Sequence, residues 1–276
     1  MTAPRVTERR RRLLEAGRHP FVAAVRRSLA GACGVERNAT VIVGVSGGPD
    51  SLALLLALAA IAGRSRRSGG IRPLALHVNH HLRPEAAADA RFVGRRCEEL
   101  GIACEVVEIH PAARRGNRHA AARELRYAAL AEAAAWRGAA HVATAHHADD
   151  QLETMVMALC RGAGPDGLEG IAWRRPLAPG VELIRPLLDR RKAECEAFCR
   201  AVGVRWRRDA GNTDQRRARG RLRREILPAA RTGVARRRRT GHDDGGDPRG
   251  GEVGDGSDGT PAAGELRRRR GGRACG

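Results

Sequence analysis

Aromatic residues make up only 3% of this 276-residue chain: three Trp, three Phe and one Tyr. A core built from it must be mostly Ala, Leu and Val, with rings at a few positions. Lysine is rarer still, for Lys192 stands alone against 50 arginines (51 basic residues less one). So lopsided a ratio fits coding bias toward Arg and Ala. The formal net charge of +20 is therefore discounted as a pointer to a polyanionic partner, though not to zero. The seven cysteines include no C-x-x-C, and Cys195 and Cys199 are a lone pair at helical spacing. That spacing argues against a zinc or iron–sulfur centre, and the odd count against a disulfide framework. There is no secretory h-region and no apolar span of 18 residues; the run at 52–62 is too short to cross a membrane. A cytoplasmic protein of one or two domains, with no membrane partner, is expected.

Two common phosphate motifs are also missing. Neither the Walker A spacing G-x-x-x-x-G-K-[ST] nor a dinucleotide G-x-G-x-x-G turn is present. In their place stands VIVGVSGGPDSLALLL at residues 41–56. The β-branched run 40–45 predicts a buried parallel strand, 46–51 a tight turn, and residue 52 onward an apolar helix. A strand passing through a Gly-rich turn into a helix start is a phosphate site in its physics. Gly47 and Gly48 let the backbone approach an anion. The first helical N–H groups lack internal partners, and the helix dipole favours negative charge there. Ser46 and Ser51 add hydroxyls around Pro49. Asp50 is the odd member, since a carboxylate repels phosphate; a Mg²⁺ ion that ligates phosphate oxygens would reconcile it. The string S-G-G-x-D-S after a strand resembles the pyrophosphate loop of the ATP pyrophosphatase superfamily. A ligand-free strand–helix turn is the bland alternative.

Periodicity divides the chain into four parts. Residues 1–37 read as a basic arm (1–12) and an amphipathic helix (13–29) broken near Pro20. Residues 38–187 alternate strands (40–45, 73–80, 103–109, 139–145) with helices (from 52, then 85–100, 118–136, 149–159), and 181–184 forms a short strand. This α/β pattern predicts a parallel sheet with helices on both faces. Ligands of such sheets sit at the carboxyl ends of the strands, where Ser46, His80 and His146 can share one crevice. Residues 188–230 predict a small helical extension: Asp189 as N-cap of a helix at 192–201, an edge strand at 204–206 and a basic helix at 213–227. From residue 231 to 276 Gly, Arg and Asp dominate, two runs of four arginines occur, and large apolar residues nearly vanish. That tail cannot bury a core and reads as disordered.

Four further motifs carry chemistry. HVNHHLR (77–83) ends the second strand, where each His is either a ligand contact or a strand-end hydrogen-bonding residue. Five histidines (77, 80, 81, 146, 147) gather at two strand ends, but their spacing suits phosphate and adenine contacts better than metal ligation. AHHADDQLET (145–154) closes one strand and opens a helix. Asp149 or Asp150 could cap that helix, with Glu153 completing a capping box. Capping needs one carboxylate, however, and three are present; Asp150 and Glu153 share a face. With Asp50 they could hold Mg²⁺ and receive an amine cation. In GNRHAAARELRY (116–127), Arg123 and Arg126 lie three apart, suited to phosphate or RNA or to a plain solvated face. In LCRGAGPDGL (159–168), a Gly-rich loop places Arg161 at its mouth, to grip phosphate or merely to link.

The ordered set decides the family. S-G-G-P-D-S, H-V-N-H-x-L-R-P, G-N-x-x-x-x-A-R-x-x-R-Y, A-H-H-A-D-D-Q-x-E-T, R-G-x-G, I-R-P-L-L-D and R-x-x-I/L-P together resemble the tRNA(Ile)-lysidine synthases of the ATP pyrophosphatase (PP-loop) superfamily, over roughly residues 35–230. The resemblance implies an adenine-nucleotide alpha-hydrolase-like fold and an ATP-dependent ligase. ATP adenylates the C2 carbonyl oxygen of the wobble cytidine of an isoleucine tRNA, and free L-lysine then displaces AMP to give lysidine. It implies catalytic roles for Asp50, Asp150, Glu153 and Arg126. It implies ATP contacts from Ser46, Gly47, Gly48, Pro49, Asp50, Ser51, His77, Asn79, His146 and Arg161, and Mg²⁺ on Asp50 and Asp150. A homodimer stays open. The chain departs from the family at several points. His119 stands where an acid is common, Gly220 and Arg224 replace Asn and His, and DAGN (209–212) loosens D-P-S-N. Gly/Arg/Asp repeats stand where the family has a folded tRNA-contacting region, either as a divergent arm or through a shifted reading frame. Two other readings stay open: another PP-loop tRNA enzyme such as a thiolase, against which the missing C-x-x-C speaks, and an inactive, truncated RNA-binding homologue.

Overall fold

The computed structural model describes residues 16–64, 70–81, 85–110 and 118–207. The readings for 1–12, 209–212, 213–227 and 231–276, and the side chain of His119, lie outside the described residues. In chain order the elements are α1 (Pro20–Ala30), β1 (Thr40–Gly44), α2 (Pro49–Arg64), β2 (Arg72–Asn79), α3 (Ala86–Leu100), β3 (Cys104–Glu108), α4 (Arg118–Trp136), β4 (His141–Ala143), α5 (Ala148–Cys160), β5 (Arg174–Ala178), β6 (Val181–Ile184) and α6 (Lys192–Ala201). Short 3₁₀ turns at Ala16–Arg18 and Pro165–Leu168 precede α1 and follow α5.

Among the described residues the sheet has six strands, in the order β3-β2-β1-β4-β6-β5. All neighbours are parallel except β5, which runs antiparallel to β6 at the edge. β1 lies inside, and Val41, Ile42 and Val43 are fully buried, as a strand covered on both faces requires. The twofold alternation of strand side chains splits them between two cores. Val41 and Val43 pack with residues of α1, α2 and α6. Ile42 faces the other way, with Leu76, Val78 and the α4 residues Leu130 and Ala134. Both cores are mainly Ala, Leu, Val and Ile, as the scarcity of rings dictates.

α2 is buried along almost its whole length; residues 52–58 are each at most 2% exposed. A helix apolar all round must be enclosed, and here it is flanked by α1 and α6. Phe21 of α1 stacks on the fully buried Phe198 of α6, ring centroids 4.7 Å apart. α6 follows residue 187, yet it shares its core with the sheet and the first two helices.

Several local readings change. The break near Pro20 is a helix start: Pro20 takes the first helical position, and the His19 Nδ1 accepts the Phe21 N–H at 3.1 Å. α2 likewise starts at Pro49, so Asp50 and Ser51 belong to its first turn. β5 escaped the sequence reading because RRPLA has no apolar alternation, and its Pro176 is tolerated at a sheet edge. Residues 204–206 are not a strand. Gly203 takes φ +67° and the Val204 N–H returns to the Cys199 carbonyl, which closes α6. The cap of α6 is Arg191, whose N–H is accepted by Glu194 at 2.7 Å, while Asp189 pairs with Arg190.

Candidate active site

The chain steps outward from β1 to β3, then returns to lay β4 on the other flank of β1. At such a reversal the loops leaving adjacent strands diverge and open a crevice outside their carboxyl ends. A cavity of about 410 Å³ occupies that place. Its walls include Ser46 and Gly48 after β1, Asp50 and Ser51 at the start of α2, and His80 after β2. The far side is formed by Thr144, Ala145 and His146 after β4, Asp150 of α5, and Arg126 with Leu130 of α4. Ser46, His80 and His146 thus share one crevice.

The loop at 46–51 is tied by its own hydroxyls. The Ser46 N–H donates to Ser51 Oγ at 3.2 Å, the two Oγ atoms lie 3.1 Å apart, and the Ser51 hydroxyl donates to the Gly48 carbonyl at 3.1 Å. Gly47 takes φ +87°, a left-handed conformation that suits glycine. Its carbonyl accepts the Arg207 N–H at 3.0 Å, and the Arg207 side chain donates to Asp89 of α3 at 2.8 Å. The loop is therefore buttressed from a segment far along the chain.

His147 holds the acidic groups together. It is buried, with Nε2 3.6 Å from Asp50 Oδ2 and Nδ1 3.4 Å from Asp150 Oδ2 and 3.8 Å from Asp149 Oδ2. It also caps α5: the Asp150 N–H reaches Nδ1 at 3.3 Å, and the Asp150 carboxylate accepts the His147 N–H at 3.1 Å. Burial alone would lower the pKa of this imidazole. The hydrogen bond to Asp50 and the charges of Asp150, Asp50 and Asp149 outweigh burial and raise it. Asp149 serves a different helix, for its carboxylate accepts the Lys192 N–H at the start of α6 at 2.7 Å. The capping box is thus His147 with Asp150, rather than an aspartate with Glu153.

Asp50 Oδ1 is buried without a hydrogen-bond partner among the described residues. An orphaned carboxylate oxygen at a cavity wall is costly unless a cation completes it, so the donor set fits a Mg²⁺ ion shared with phosphate oxygens. Opposite lies His146, whose Nδ1 is 2.9 Å from Thr144 Oγ1. Burial, with the cations of Arg185, Arg123 and Arg126 nearby, lowers its pKa to about 3, so it stands neutral. Burial also lowers the pKa of Arg126. The guanidinium groups of Arg123, Arg126 and Arg175 lie 5.2, 5.6 and 5.3 Å from the ring centroid of Tyr127, gathering cations beside the cavity.

Other residues expected at the site lie off the cavity wall. His77 is buried, with Nδ1 2.8 Å from the Val45 carbonyl, so it braces the strand that feeds the loop. Asn79 is buried and accepts the His81 N–H at 3.1 Å. Gly47 and Pro49 belong to the loop but do not line the cavity. Glu153 is buried one turn beyond Asp150, and Arg161 is exposed at the C-terminal cap of α5.

A family model described as a PP-loop domain matches residues 22–230. The chain belongs to the PP-loop domain family. Curated relatives of this PP-loop chain include the tRNA(Ile)-lysidine synthase of Salinispora arenicola, 43% identical over 212 residues, covering 76% of this chain and 62% of the relative. That of Bacillus cereus is 41% identical over 199 residues, covering 70% of this chain and 41% of the relative. The chain thus spans about two-fifths to three-fifths of the length of these relatives. Among solved structures, the U34-tRNA thiolase from Methanococcus maripaludis superposes with a TM-score of 0.59 at 18% identity, over 87% of this chain and 86% of that one. At that identity the likeness shows the PP-loop fold alone.

Sequence reasoning missed the part played by His147. The His-His pair before the aspartates pointed to it, yet its partner Asp50 lies 97 residues earlier (147 less 50). The Arg207–Asp89 buttress left no sequence signal.

Proposed function

We propose that this chain ligates lysine to C2 of the wobble cytidine of an isoleucine tRNA with ATP, forming lysidine. The observation that carries the reading is the cavity itself. It sets a PP-loop, the orphaned oxygen of Asp50, Asp150, Arg126 and a neutral His146 around one volume, in a chain whose relatives are named tRNA(Ile)-lysidine synthases. In the first step the C2 carbonyl oxygen attacks the α-phosphorus of ATP and pyrophosphate leaves. In the second the lysine ε-amine adds at C2, AMP departs with the oxygen, and the amine loses its proton.

The residues divide the work. Ser46, Gly48 and Ser51 hold phosphate at the start of α2, where backbone N–H groups point outward, and Gly47 and Pro49 set the turn. Asp50, with Asp150 beside it, would hold Mg²⁺, whose positive charge offsets that of the phosphates. Arg126 places a partly desolvated cation against charge developing at the α-phosphate. His146 offers a neutral nitrogen to the nucleotide. His77 and Asn79 act through the backbone they brace, and Arg161 reaches phosphate from the loop after α5. Asp150 orients the lysine ammonium and takes up its proton, and Glu153, buried one turn further along α5, adds negative charge behind it. The arginines around Tyr127 receive the tRNA backbone, and binding weakens steeply with salt. Among the described residues no helix is long and apolar enough to cross a membrane, and a tRNA reaction belongs in the cytoplasm.

The test incubates the full chain with ATP, Mg²⁺, labelled lysine and an isoleucine tRNA transcript. Lysine incorporation with tRNA-dependent pyrophosphate release is expected, and Asp50→Ala and Asp150→Ala each abolish it. A folded chain that releases no pyrophosphate, or near-normal turnover in either variant, overturns the reading. Thiouridine in the product transfers the site to a thiolase, although no cysteine lines the described cavity. Salt-sensitive RNA binding without ATP consumption marks an inactive homologue.

A further inference from the structure

We propose that His81, Glu108 and His110 bind one divalent transition-metal ion, Zn²⁺ by preference, at the carboxyl ends of β2 and β3. One ring nitrogen from each histidine and a carboxylate oxygen of Glu108 lie within 4.8 Å of one another. His81 Nε2 is already 3.5 Å from Glu108 Oε2, and the two imidazole rings stack with centroids 4.7 Å apart and planes 13° apart. Ligand atoms about 2.0–2.2 Å from a tetrahedral Zn²⁺ stand about 3.3 Å apart. The cluster therefore needs to close by about 1.5 Å at most, within reach of side-chain rotation at exposed positions.

The backbone explains the meeting. The parallel register of β2 and β3 sets Asn79 opposite Glu108, so His81 and His110, each two residues further on, leave the sheet side by side. The Ile109 N–H donates to the Asn79 carbonyl at 2.8 Å, and the Asn79 side chain accepts the His81 N–H at 3.1 Å. His81 takes φ +50°, a left-handed conformation that costs an L-residue other than Gly, Asn or Asp about 1–2 kcal/mol. The turn is thus held in a form that sets the His81 ring against His110.

The donor set chooses the metal. Two imidazoles and one carboxylate suit Zn²⁺ and its neighbours, whereas Mg²⁺ and Ca²⁺ take oxygen. Three protein ligands leave a fourth position for water or another ligand. The site is separate from the PP-loop cavity. His80 lines that cavity, while His81, Glu108 and His110 do not. A bound ion would cross-link the edge strand β3 to β2 beside the cavity rim.

The test uses the metal-stripped full chain, titrated with Zn²⁺ in excess Mg²⁺ by calorimetry and with Co²⁺ by visible absorption. Wild type is expected to bind one Co²⁺ with the weak visible bands of nitrogen and oxygen ligation and no thiolate charge-transfer band. His81→Asn tolerates the left-handed backbone and so preserves the turn. His81→Asn combined with His110→Ala abolishes that binding, and Glu108→Gln weakens it at least 10-fold, with unchanged circular dichroism. Equal stoichiometry and affinity in wild type and double variant overturns the proposal. So does a thiolate band appearing with the bound ion, which would place the metal on cysteine.

Discussion

Replacing His147 by alanine attacks the centre of the site's electrostatics. Two losses follow. From the neutral ring goes the N-cap of α5, in which Nδ1 accepts the Asp150 N–H, worth about 1 kcal/mol. The cation facing Asp50, Asp149 and Asp150 also goes; removing one partner of a fully buried pair costs about 3–5 kcal/mol. These carboxylates keep 16–23% of their side-chain surface exposed, so solvent reduces the second loss. At pH 6 the doubly protonated ring has no nitrogen free to accept the Asp150 N–H, so the charge loss alone is expected there, about 2–3 kcal/mol, lowering Tm by roughly 4–12 °C in a domain of this size. The pH dependence is sharper than the magnitude. The folded pKa of His147 is raised, so its charge contribution is fully present below the unfolded value of about 6.5 and is lost as pH rises through the folded pKa. The gap between wild type and His147→Ala should be widest near pH 6 and shrink toward the cap's ~1 kcal/mol by about pH 9. Urea unfolding without ATP and with chelator at pH 6, 7, 8 and 9 measures it. A gap that is constant, or that widens with pH, refutes the clasp.

Three further outcomes test other parts of the structure. Phe198→Ala removes a fully buried ring stacked on Phe21 and should cost about 3–5 kcal/mol; a shift in urea midpoint equivalent to less than about 1 kcal/mol would show that α6 does not share this core. Gly47→Ala forces an alanine to φ +87°, costing about 1–2 kcal/mol, and should weaken ATP binding at least 10-fold by calorimetry, because the loop's N–H groups turn away. Unchanged affinity would remove the loop from the nucleotide site. The His146 ring, with its pKa lowered to about 3, should show no change in NMR shift between pH 5 and 8. A midpoint in that range would mean that the ring is solvated.

The strands and helices that build the crevice were legible because burial on both faces leaves long apolar runs. Residues 40–45 and 52–58 could hardly be anything but a buried strand and an enclosed helix. That Ser46, His80 and His146 meet was also legible, since parallel strands deliver their carboxyl ends to one side. β5 was not, because Arg174, Arg175 and Pro176 mask an edge strand whose partner lies across a two-residue turn. By sequence position Asp149 or Asp150 could cap the helix they open, and nothing local assigns Asp149 elsewhere. In the fold its carboxylate serves α6, 43 residues away, because capping depends on which N–H group comes within reach.

The sequence by itself determined the sheet class, the Gly-rich strand–helix turn and the family, since local backbone preference and ordered motifs are written in neighbouring residues. Tertiary structure alone decided which of the charged residues face one another. It placed His147 between Asp50 and Asp150, left Asp50 Oδ1 without a partner among the described residues, turned His77 and Asn79 into braces behind the cavity wall, and set His81 over Glu108 and His110. Electrostatic energy depends on distance and burial, and both are fixed only when strands far apart in the chain come together.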